Sequence, residues 1–347
     1  MPAIPASGAI SLTDFATEFG GTAPHSMSEY YRNGANVPSN NSNVPTTGAF
    51  RFGHMRGAIN EIILAATSGA NVDISGLFGA NWTSTVPKRL TVPAGVTIGG
   101  TGSSAALIIP ANMAGTLEID NAGSILGFGG AANGGSGGNA IQNLASGVTI
   151  NNTGLLAGGG GGGGLGGTGG NGSSETVTYR SYHSSNYWQR GGRYNIADNE
   201  IVAAWSGSLV INVYGGGGSY PSSITSYGSY RRGSFFSSSG KTHYYGIGQA
   251  STTSTTGGAG GAGGVGQGYN QSNTSGSGGS SGGTNAGTGG TGGSGSAYGT
   301  AGSTGATGAN GNSSNGIGGS SGGAAGAAVT GTSVSMNNTG TLYGAVA

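Results

Sequence analysis

VTINNTGLLAGGGGGGGLGGTGGNG, residues 148–172, holds the two decisions on which the fold turns. Its first half is apolar-x-apolar at Val148-Thr149-Ile150, then Asn151-Asn152-Thr153-Gly154, then the apolar pair Leu155-Leu156. Asn tolerates left-handed backbone and Gly reaches positive φ at little cost, so the phrase reads as strand, Asx-type turn, strand. The same phrase stands at Leu117-Glu118-Ile119-Asp120-Asn121-Ala122-Gly123-Ser124-Ile125-Leu126-Gly127. It returns far downstream at Val334-Ser335-Met336-Asn337-Asn338-Thr339-Gly340-Thr341-Leu342-Tyr343-Gly344. The late copy implies that the chain comes back to the same β-layer, closing one structure over a long insertion.

The second half, from Gly158, is almost bare backbone. Similar glycine-rich stretches occupy 127–138, 215–218 and 257–328, and glycine makes up 82 of the 347 residues. The strict Gly-X-Y period of collagen fails repeatedly, and these stretches lack the Asp that calcium-binding nonapeptide repeats need. A flexible Gly/Ser linker is one reading. The other is a bundle of extended, polyproline II-like polyglycine strands, with backbone groups bonded to neighbouring strands and close approach adding Cα–H···O contacts. Glycine loses more entropy on ordering than any other residue, so only a closed bundle would hold. Three features favour the bundle. Glycine pairs recur at three-residue spacing in Gly257-Gly258-Ala259-Gly260-Gly261-Ala262-Gly263-Gly264. Small apolar residues (Val265, Ile317, Ala324–Ala328) are interspersed, and Asn, Ser and Thr punctuate at turn-like intervals.

Upstream, residues 61–156 read as short strands between Gly, Pro, Asn and Ser turns. Examples are Glu61-Ile62-Ile63-Leu64, Arg89-Leu90-Thr91-Val92, Val96-Thr97-Ile98 and Ala106-Leu107-Ile108-Ile109. Residues 1–60 differ. Ser11-Leu12-Thr13-Asp14 is a capping box, with Leu12, Phe15, Ala16 and Phe19 at helical spacing and Gly20-Gly21 as the stop. Ser26-Met27-Ser28-Glu29 is a second box, backed by Met27, Tyr30 and Tyr31 and closed near Gly34. Each helix is too short to stand alone. An internal repeat matches Ile4–Leu12 with Val44–Phe52, and continues with Phe15 against Met55. Such a module either caps the next unit or docks to a partner. Leu12, Phe15, Phe19, Met27, Tyr30, Tyr31, Phe50, Phe52 and Met55 are its candidate attachment residues.

The phrases ISLTDF, SMSEYYRNGANVP and VPTTGAFRFGHMRGA resemble, in the same order, a segment recurrent in tail proteins of tailed phages. There, similar SGxISLxD and YYRxG phrases precede Gly-rich or fibre regions. The resemblance covers about the first sixty residues. It implies a protein of the virion tail, made in the host cytoplasm, with other tail proteins as partners.

Composition is consistent with a structural role. Charged residues are 6% of the chain, against about 25% in ordinary soluble domains, and the net charge of +1 exerts no pull toward nucleic acid or anionic membrane. Absence of cysteine removes disulfides and thiol chemistry. MPAIPASGAIS has no basic region leading an apolar run, so no secretory signal is expected. The longest apolar run, Ile62–Ala66, is far short of a membrane span.

Residues 173–250 break the pattern. Ten of the chain's fifteen tyrosines and six of its eleven Lys and Arg residues lie here. The glycine runs on either side present this segment as loops projecting from a scaffold. Large rigid aromatics, Arg, and adaptable Ser and Gly are the chemistry of a binding surface. Part of the segment reads as core: Ile201, Val202, Trp205, Leu209, Ile211 and Val213 alternate as in a buried strand or hairpin. The rest is interleaved with Ser and Arg without aliphatic partners. It supplies the candidate receptor-binding residues Tyr179, Arg180, Tyr182, His183, Tyr187, Trp188, Arg190, Arg193, Tyr194, Tyr220, Tyr227, Tyr230, Arg231, Arg232, Phe235, Phe236, Lys241, His243, Tyr244 and Tyr245.

This layout is similar to the glycine-rich distal tail-fibre adhesins of T-even-type phages. The resemblance implies a polyglycine bundle whose aromatic loops bind an outer-surface protein or glycan of the host. One insertion carries the loops here, where the family distributes them among many motifs. The copy number stays open between a homo-oligomer such as a trimer and one copy on a trimeric fibre.

Enzyme chemistry is not expected. Ser238-Ser239-Gly240-Lys241-Thr242 looks like a phosphate-binding loop, but its first required glycine falls at Phe235. Asp198 and Glu200 would need an opposing carboxylate, and between 121 and 347 only Glu175 remains. No histidine pair has metal-ligand spacing, so neither metal nor cofactor is expected. Aromatic and Arg loops could stack nucleic-acid bases, but the overall charge argues against it. The expected fold is therefore mainly β and irregular. It comprises a helical module at 1–60, a short-strand β unit at 61–156, a glycine strand at 157–172, the aromatic insert at 173–250, and a glycine-rich bundle at 251–347 returning to the β-layer. The leading function is a phage tail adhesin. The rivals are a purely structural tail component and an ice- or surface-binding glycine bundle unrelated to phage.

Overall fold

The computed structural model describes residues 4–34, 36–183, 200–206, 230–235 and 244–347; for 175–183, 200–206, 230–235 and 244–251 it describes the backbone. In chain order the helices are α1 (Leu12–Phe19) and α2 (Ile74–Phe78), with 3-10 turns at Met27–Tyr30, Phe52–Met55 and Gly79–Thr83. The strands before the insert are β1 (Ile62–Ala65), β2 (Gly69–Ala70), β3 (Val72–Asp73), β4 (Lys88–Val92), β5 (Thr97–Gly99), β6 (Leu107–Ile109), β7 (Leu117–Asn121), β8 (Ser124–Leu126), β9 (Ile141–Asn143), β10 (Val148–Asn152) and β11 (Leu155–Ala157). Then come β12 (Gly172–His183), β13 (Glu200–Ser206), β14 (Tyr230–Phe235), β15 (Tyr244–Thr255), β16 (Val329–Gly331), β17 (Ser335–Asn338) and β18 (Thr341–Tyr343).

The β unit is a three-faced parallel solenoid. One face stacks β1-β4-β7-β10-β17, the second β2-β5-β8-β11-β18, and the third β3-β6-β9-β16. All these pairs are parallel. The sequence repeat is the solenoid register itself. Ile119 pairs with Ile150, and Ile150 with Met336 across the whole insertion. Alternation in β4, β7 and β10 sends every second residue inward. Leu90, Ile98, Leu107, Ile109, Ile119, Ile125, Ile150 and Leu156 fill the interior with essentially no exposure, each contributing roughly 1.5–3 kcal/mol of burial. Reading this region as a simple layer missed the coil, because strands this short look alike whether they pair parallel or antiparallel.

Within the 61–156 region read as short strands and turns, Ile74–Thr83 forms helical turns instead. Asp73 caps α2, accepting from the Ser75 N–H at 2.9 Å, and the turns bury Ile74, Phe78 and Trp82.

Polar ladders run beside the apolar ones. Asn121 Nδ2 donates to Asn152 Oδ1 at 2.7 Å, and Asn152 Nδ2 to Asn338 Oδ1 at 2.7 Å. Asn121 Oδ1 is left without a partner, because the preceding coil offers Val92 at this position. Lys88, 1% exposed, donates its ammonium to the carbonyls of Ser84, Val86 and Ala114 at 2.7–3.0 Å. On the outer face Arg89 joins Glu61, Glu118 and Asp120 at 3.1, 2.7 and 2.8 Å.

Two excursions leave the solenoid after the second face and return at the third: residues 127–138 between β8 and β9, and 158–328 between β11 and β16. The glycine segments in both excursions are extended and lie side by side. The central one, 158–171, has neighbours on every side, bonded through every third residue. Gly160, Gly163, Gly166 and Gly169 donate N–H groups to the carbonyls of Gln267, Gly264, Gly261 and Gly258. Gly161, Gly164, Gly167 and Gly170 donate to Thr300, Ser303, Ala306 and Ala309, and accept from Ser296, Gly293, Gly290 and Gly287. The remaining face accepts from Gly326, Gly323, Ser320 and Ile317, and donates to Gly138 and Gly135.

That last face explains the sequence Gly158–Gly164 followed by Leu165-Gly-Gly-Thr168-Gly-Gly-Asn171. A Cβ on Gly159 or Gly162 would lie 1.7 or 1.8 Å from the carbonyl oxygen of Phe128 or Ala131. The 127–138 hairpin ends there, and the same face then carries Leu165, Thr168 and Asn171 in the open.

The first sixty residues form a separate small core of Ile4, Phe15, Phe19, Tyr30, Val37, Val44, Met55 and Ala58. The Ser11/Asp14 capping box is present, with Ser11 N–H to Asp14 Oδ2 at 2.6 Å. The second box, Ser26 N–H to Glu29 Oε1 at 2.9 Å, closes a 3-10 turn where a second helix was expected. The four residues Met27–Tyr30 are too few to repeat the α-helical bond. The repeat is structural as well: Ile4 and Val44, and Phe15 and Met55, are all buried, and Arg51 N–H reaches back to His54 Nδ1 at 3.2 Å as Ser11 does to Asp14.

Candidate functional site

At the end of the bundle away from the solenoid, the central segment continues from Asn171 directly into β12, and β15 leads back in at Thr256. The two strands pair antiparallel from Gly172↔Thr255 to His183↔Tyr244. β13 adds to β12, with a register shift between Tyr179 and Arg180, and β14 adds to β15, giving the order β13-β12-β15-β14.

Half of the candidate binding residues are thereby strand residues, which corrects their reading as loops. The aromatic, Ser and Gly mixture hides strand periodicity, and β15 runs past residue 250 as far as Thr255. Tyr179 and Arg231 share a cross-strand row through Gly248, and Arg180 and Arg232 share the next row through Ile247. His183, Tyr244 and Phe235 form another row, Tyr182 stands opposite Tyr245, and Tyr230 opposite Gln249. Residues two strands apart in a row are about 10 Å apart, and adjacent rows belong to opposite faces of a sheet, so the Tyr179–Arg231 pair and the Arg180–Arg232 pair are presented one to each face. Ile201, Val202 and Trp205 lie in β13. Tyr187, Trp188, Arg190, Arg193, Tyr194, Tyr220, Tyr227, Phe236, Lys241 and His243 lie outside the described residues, as do Leu209, Ile211 and Val213.

The first module divides its candidate residues differently. Phe15, Phe19, Tyr30 and Met55 are core. Burial, then the neighbouring Glu29 carboxylate, raises the Tyr30 phenol above its ordinary value. Leu12, Met27, Tyr31 and Phe50 are half-buried, and Phe52 is exposed. Phe15 and Phe52 rings are 5.1 Å apart, and Tyr31 meets Phe50 edge-on at 5.4 Å. The surface part is therefore an aromatic patch of Phe50, Phe52 and Tyr31.

A cleft of about 630 Å³ runs along the solenoid corner ahead of β1, β4, β7, β10 and β17. Its Arg89 is paired with Glu61 and Glu118, its Lys88 ammonium is held by backbone carbonyls, Glu18 accepts from the Asn60 N–H, and no aromatic side chain lines it. Among the described residues no cluster of His, Cys, Asp or Glu could hold a metal, and no helix is long and apolar enough to cross a membrane.

The described residues thus comprise a solenoid, a side-chain-poor arm and a four-stranded antiparallel sheet at the arm's far end. Residues 59–220 match the family model of the phage tail fibre adhesin Gp38. The adhesin match runs from the first coil, along the central glycine segment, and into the sheet-bearing insert. It bears out the resemblance to phage tail fibre adhesins and, with it, a place in the virion tail. Among solved structures, the crystal structure of the gp37-gp38 adhesin tip complex of the bacteriophage S16 long tail fiber aligns over 99% of this chain and 100% of its own, at 17% identity and a TM-score of 0.38. No curated protein matches.

Proposed function

We propose that this tail fibre adhesin binds a host outer-surface protein or glycan through the β12–β15 sheet and the aromatic and basic residues that sheet carries. The observation behind the proposal is where the adhesin match leads: it passes through the solenoid and the central glycine segment into the tyrosine- and arginine-rich insert. Guanidinium groups offer fixed forks of donors to carboxylates and phosphates, and tyrosines stack on sugar faces or apolar side chains. The row holding Tyr179 with Arg231 brings both kinds of group together, and the next row sets Arg180 near Arg232.

The remaining parts serve that surface. Bonding through every third residue supports reading the bundle as polyglycine II, which has three residues per turn. Such an arm is stiff because its backbone groups, rather than a side-chain core, hold neighbours in place. Residues 1–57 dock to another tail protein through the Phe50, Phe52 and Tyr31 patch. The functional units are then 1–60 for attachment, 61–156 as the solenoid base, 157–172 and 251–347 as the arm and its return to the solenoid, and 173–250 as the contact segment. The protein acts as a homo-oligomer or as one copy on a trimeric fibre, without nucleic acid, membrane insertion or cofactor.

Replacing Tyr179, Arg180, Arg231 and Arg232 together with Ala tests the proposal in purified protein and in virions. Adsorption to host cells is expected to fall by at least about tenfold, with assembly onto the fibre unchanged. Persisting adsorption with failed assembly would establish the structural rival, in which the aromatic sheet packs on neighbouring subunits.

A further inference from the structure

The strands of the sheet do not simply emerge from the bundle; they pass through a collar. Two turns of the bundle, 283–286 and 310–315, close around the point where β12 starts and β15 ends. Ser173 N–H donates to Asn312 Oδ1 at 2.7 Å, and Asn312 Nδ2 donates back to the Ser173 carbonyl at 2.9 Å. Asn285 Nδ2 reaches the same carbonyl at 3.0 Å. On the other strand Thr255 Oγ1 donates to the Thr284 carbonyl at 2.6 Å, and Gly283 N–H to the Thr256 carbonyl at 3.1 Å. The collar is closed on itself, since Asn312 N–H donates to the Asn285 carbonyl at 3.0 Å. Gly172 fits inside it only without a side chain: a Cβ there would lie 2.4 Å from both Ala286 N and Thr284 O.

We infer that Asn285 and Asn312 are positioning residues for receptor contact: their amides grip the Ser173 peptide and so fix the direction in which the sheet leaves the bundle. The inference rests on the proposed binding role of the sheet. A two-stranded stem paired only to itself could tilt about Asn171 and Thr256, and an interface held in one orientation loses less freedom on binding. Neither amide sits in the solenoid core or between the glycine segments, so the collar is separable from the stability of the rest.

The experiment uses the full chain, which has no cysteine, with spin labels on Thr252→Cys and Thr307→Cys, both exposed positions. Pulsed electron resonance reads the distance distribution between sheet and bundle, and cell adsorption is measured in parallel. Asn285 has φ 60°, so Asn285→Gly removes its amide without adding strain, and Asn312→Ala removes the other. The double variant is expected to broaden the distribution and slow adsorption about tenfold, with the melting temperature unchanged. Asn312→Asp, which keeps the acceptor for Ser173 N–H but not the donor, should fall between. A distribution as narrow as the parent's overturns the positioning role, whatever adsorption does. A broadened distribution with undiminished adsorption leaves the collar standing as a structural clamp and overturns its role in receptor contact, while the receptor-binding reading itself stands or falls on adsorption by the Tyr179, Arg180, Arg231 and Arg232 variant.

Discussion

A methyl group added at Gly164 would lie 1.9 Å from the Ser320 carbonyl oxygen, whereas at Gly318 it would meet nothing within 4 Å. Gly164→Ala is therefore expected to destabilise the protein by about 1–3 kcal/mol through overpacking. Gly318→Ala should stabilise it by about 0.4–1 kcal/mol through a stiffer unfolded chain. Denaturant unfolding of the two variants checks both signs. The three-residue glycine rhythm was legible in the sequence, because only a side-chain-free surface permits this spacing; which glycines face a neighbour was not, since that depends on where the 127–138 hairpin stops. Lys88 was unreadable for a similar reason. Nothing local marks a lysine whose donors will be met by the carbonyls of Ser84, Val86 and Ala114. Burial lowers its pKa from 10.5. In the window between the lowered value and 10.5 the unfolded chain holds more protons, so stability should rise with pH there. Lys88→Met should remove that rise and, by leaving three carbonyls without a donor, cost about 1–3 kcal/mol at neutral pH. Unfolding midpoints across the alkaline range test both effects.

Among the elements, the asparagine ladder gave the clearest correspondence between sequence and structure. Asn121 and Asn152 are 31 residues apart, and Asn152 and Asn338 are 186 apart, yet all three occupy one corner. Asn152→Leu is expected to cost about 1–3 kcal/mol, since it takes away the acceptor of one Asn121 N–H and the donor to Asn338 Oδ1, and thermal unfolding would register the loss. The stacked face could be foreseen from the repeated phrase, whose in-register copies are the mark of a solenoid. The second face was legible in the same phrase, whose residues after the turn become β8, β11 and β18; the third was not, and the first coil was hidden because β2 and β3 are two residues each. Helix α2 was hidden behind Gly76, and its one signal was Asp73 at the N-cap. The sheet of the insert was hidden too. Its strands borrow order from the paired stem more than from side-chain alternation, and much of the binding surface predicted there lies outside the described residues.

Across the molecule, stability is expected to be graded from the middle of the arm outward. From Gly159 to Gly170 nearly every N–H has an acceptor; Thr168 has none among the described residues. In the segment 274–280, which pairs with 259–265 on one side, only the amides of Thr274, Ser277 and Ser280 donate, and those of Ser275, Gly276, Gly278 and Gly279 have no acceptor among the described residues. Hydrogen exchange should therefore be slow through the central segment, with Thr168 as a fast exception, and fast at those four outer amides. Uniformly fast exchange through 159–170 would contradict the arm as described. No charged side chain occurs between Gly246 and Ala347, so this part of the structure should also be indifferent to ionic strength.

The last coil carries a kinetic consequence. β17 and β18 fasten onto β10 and β11, but a ribosome makes them only after the entire intervening stretch. The growing chain must wait with its fourth coil unfinished, and contacts this distant in sequence are slow to form. Maturation should therefore be gated by residues 329–343 acting as a clasp: until they are translated and snap home, the arm has a root at one end only.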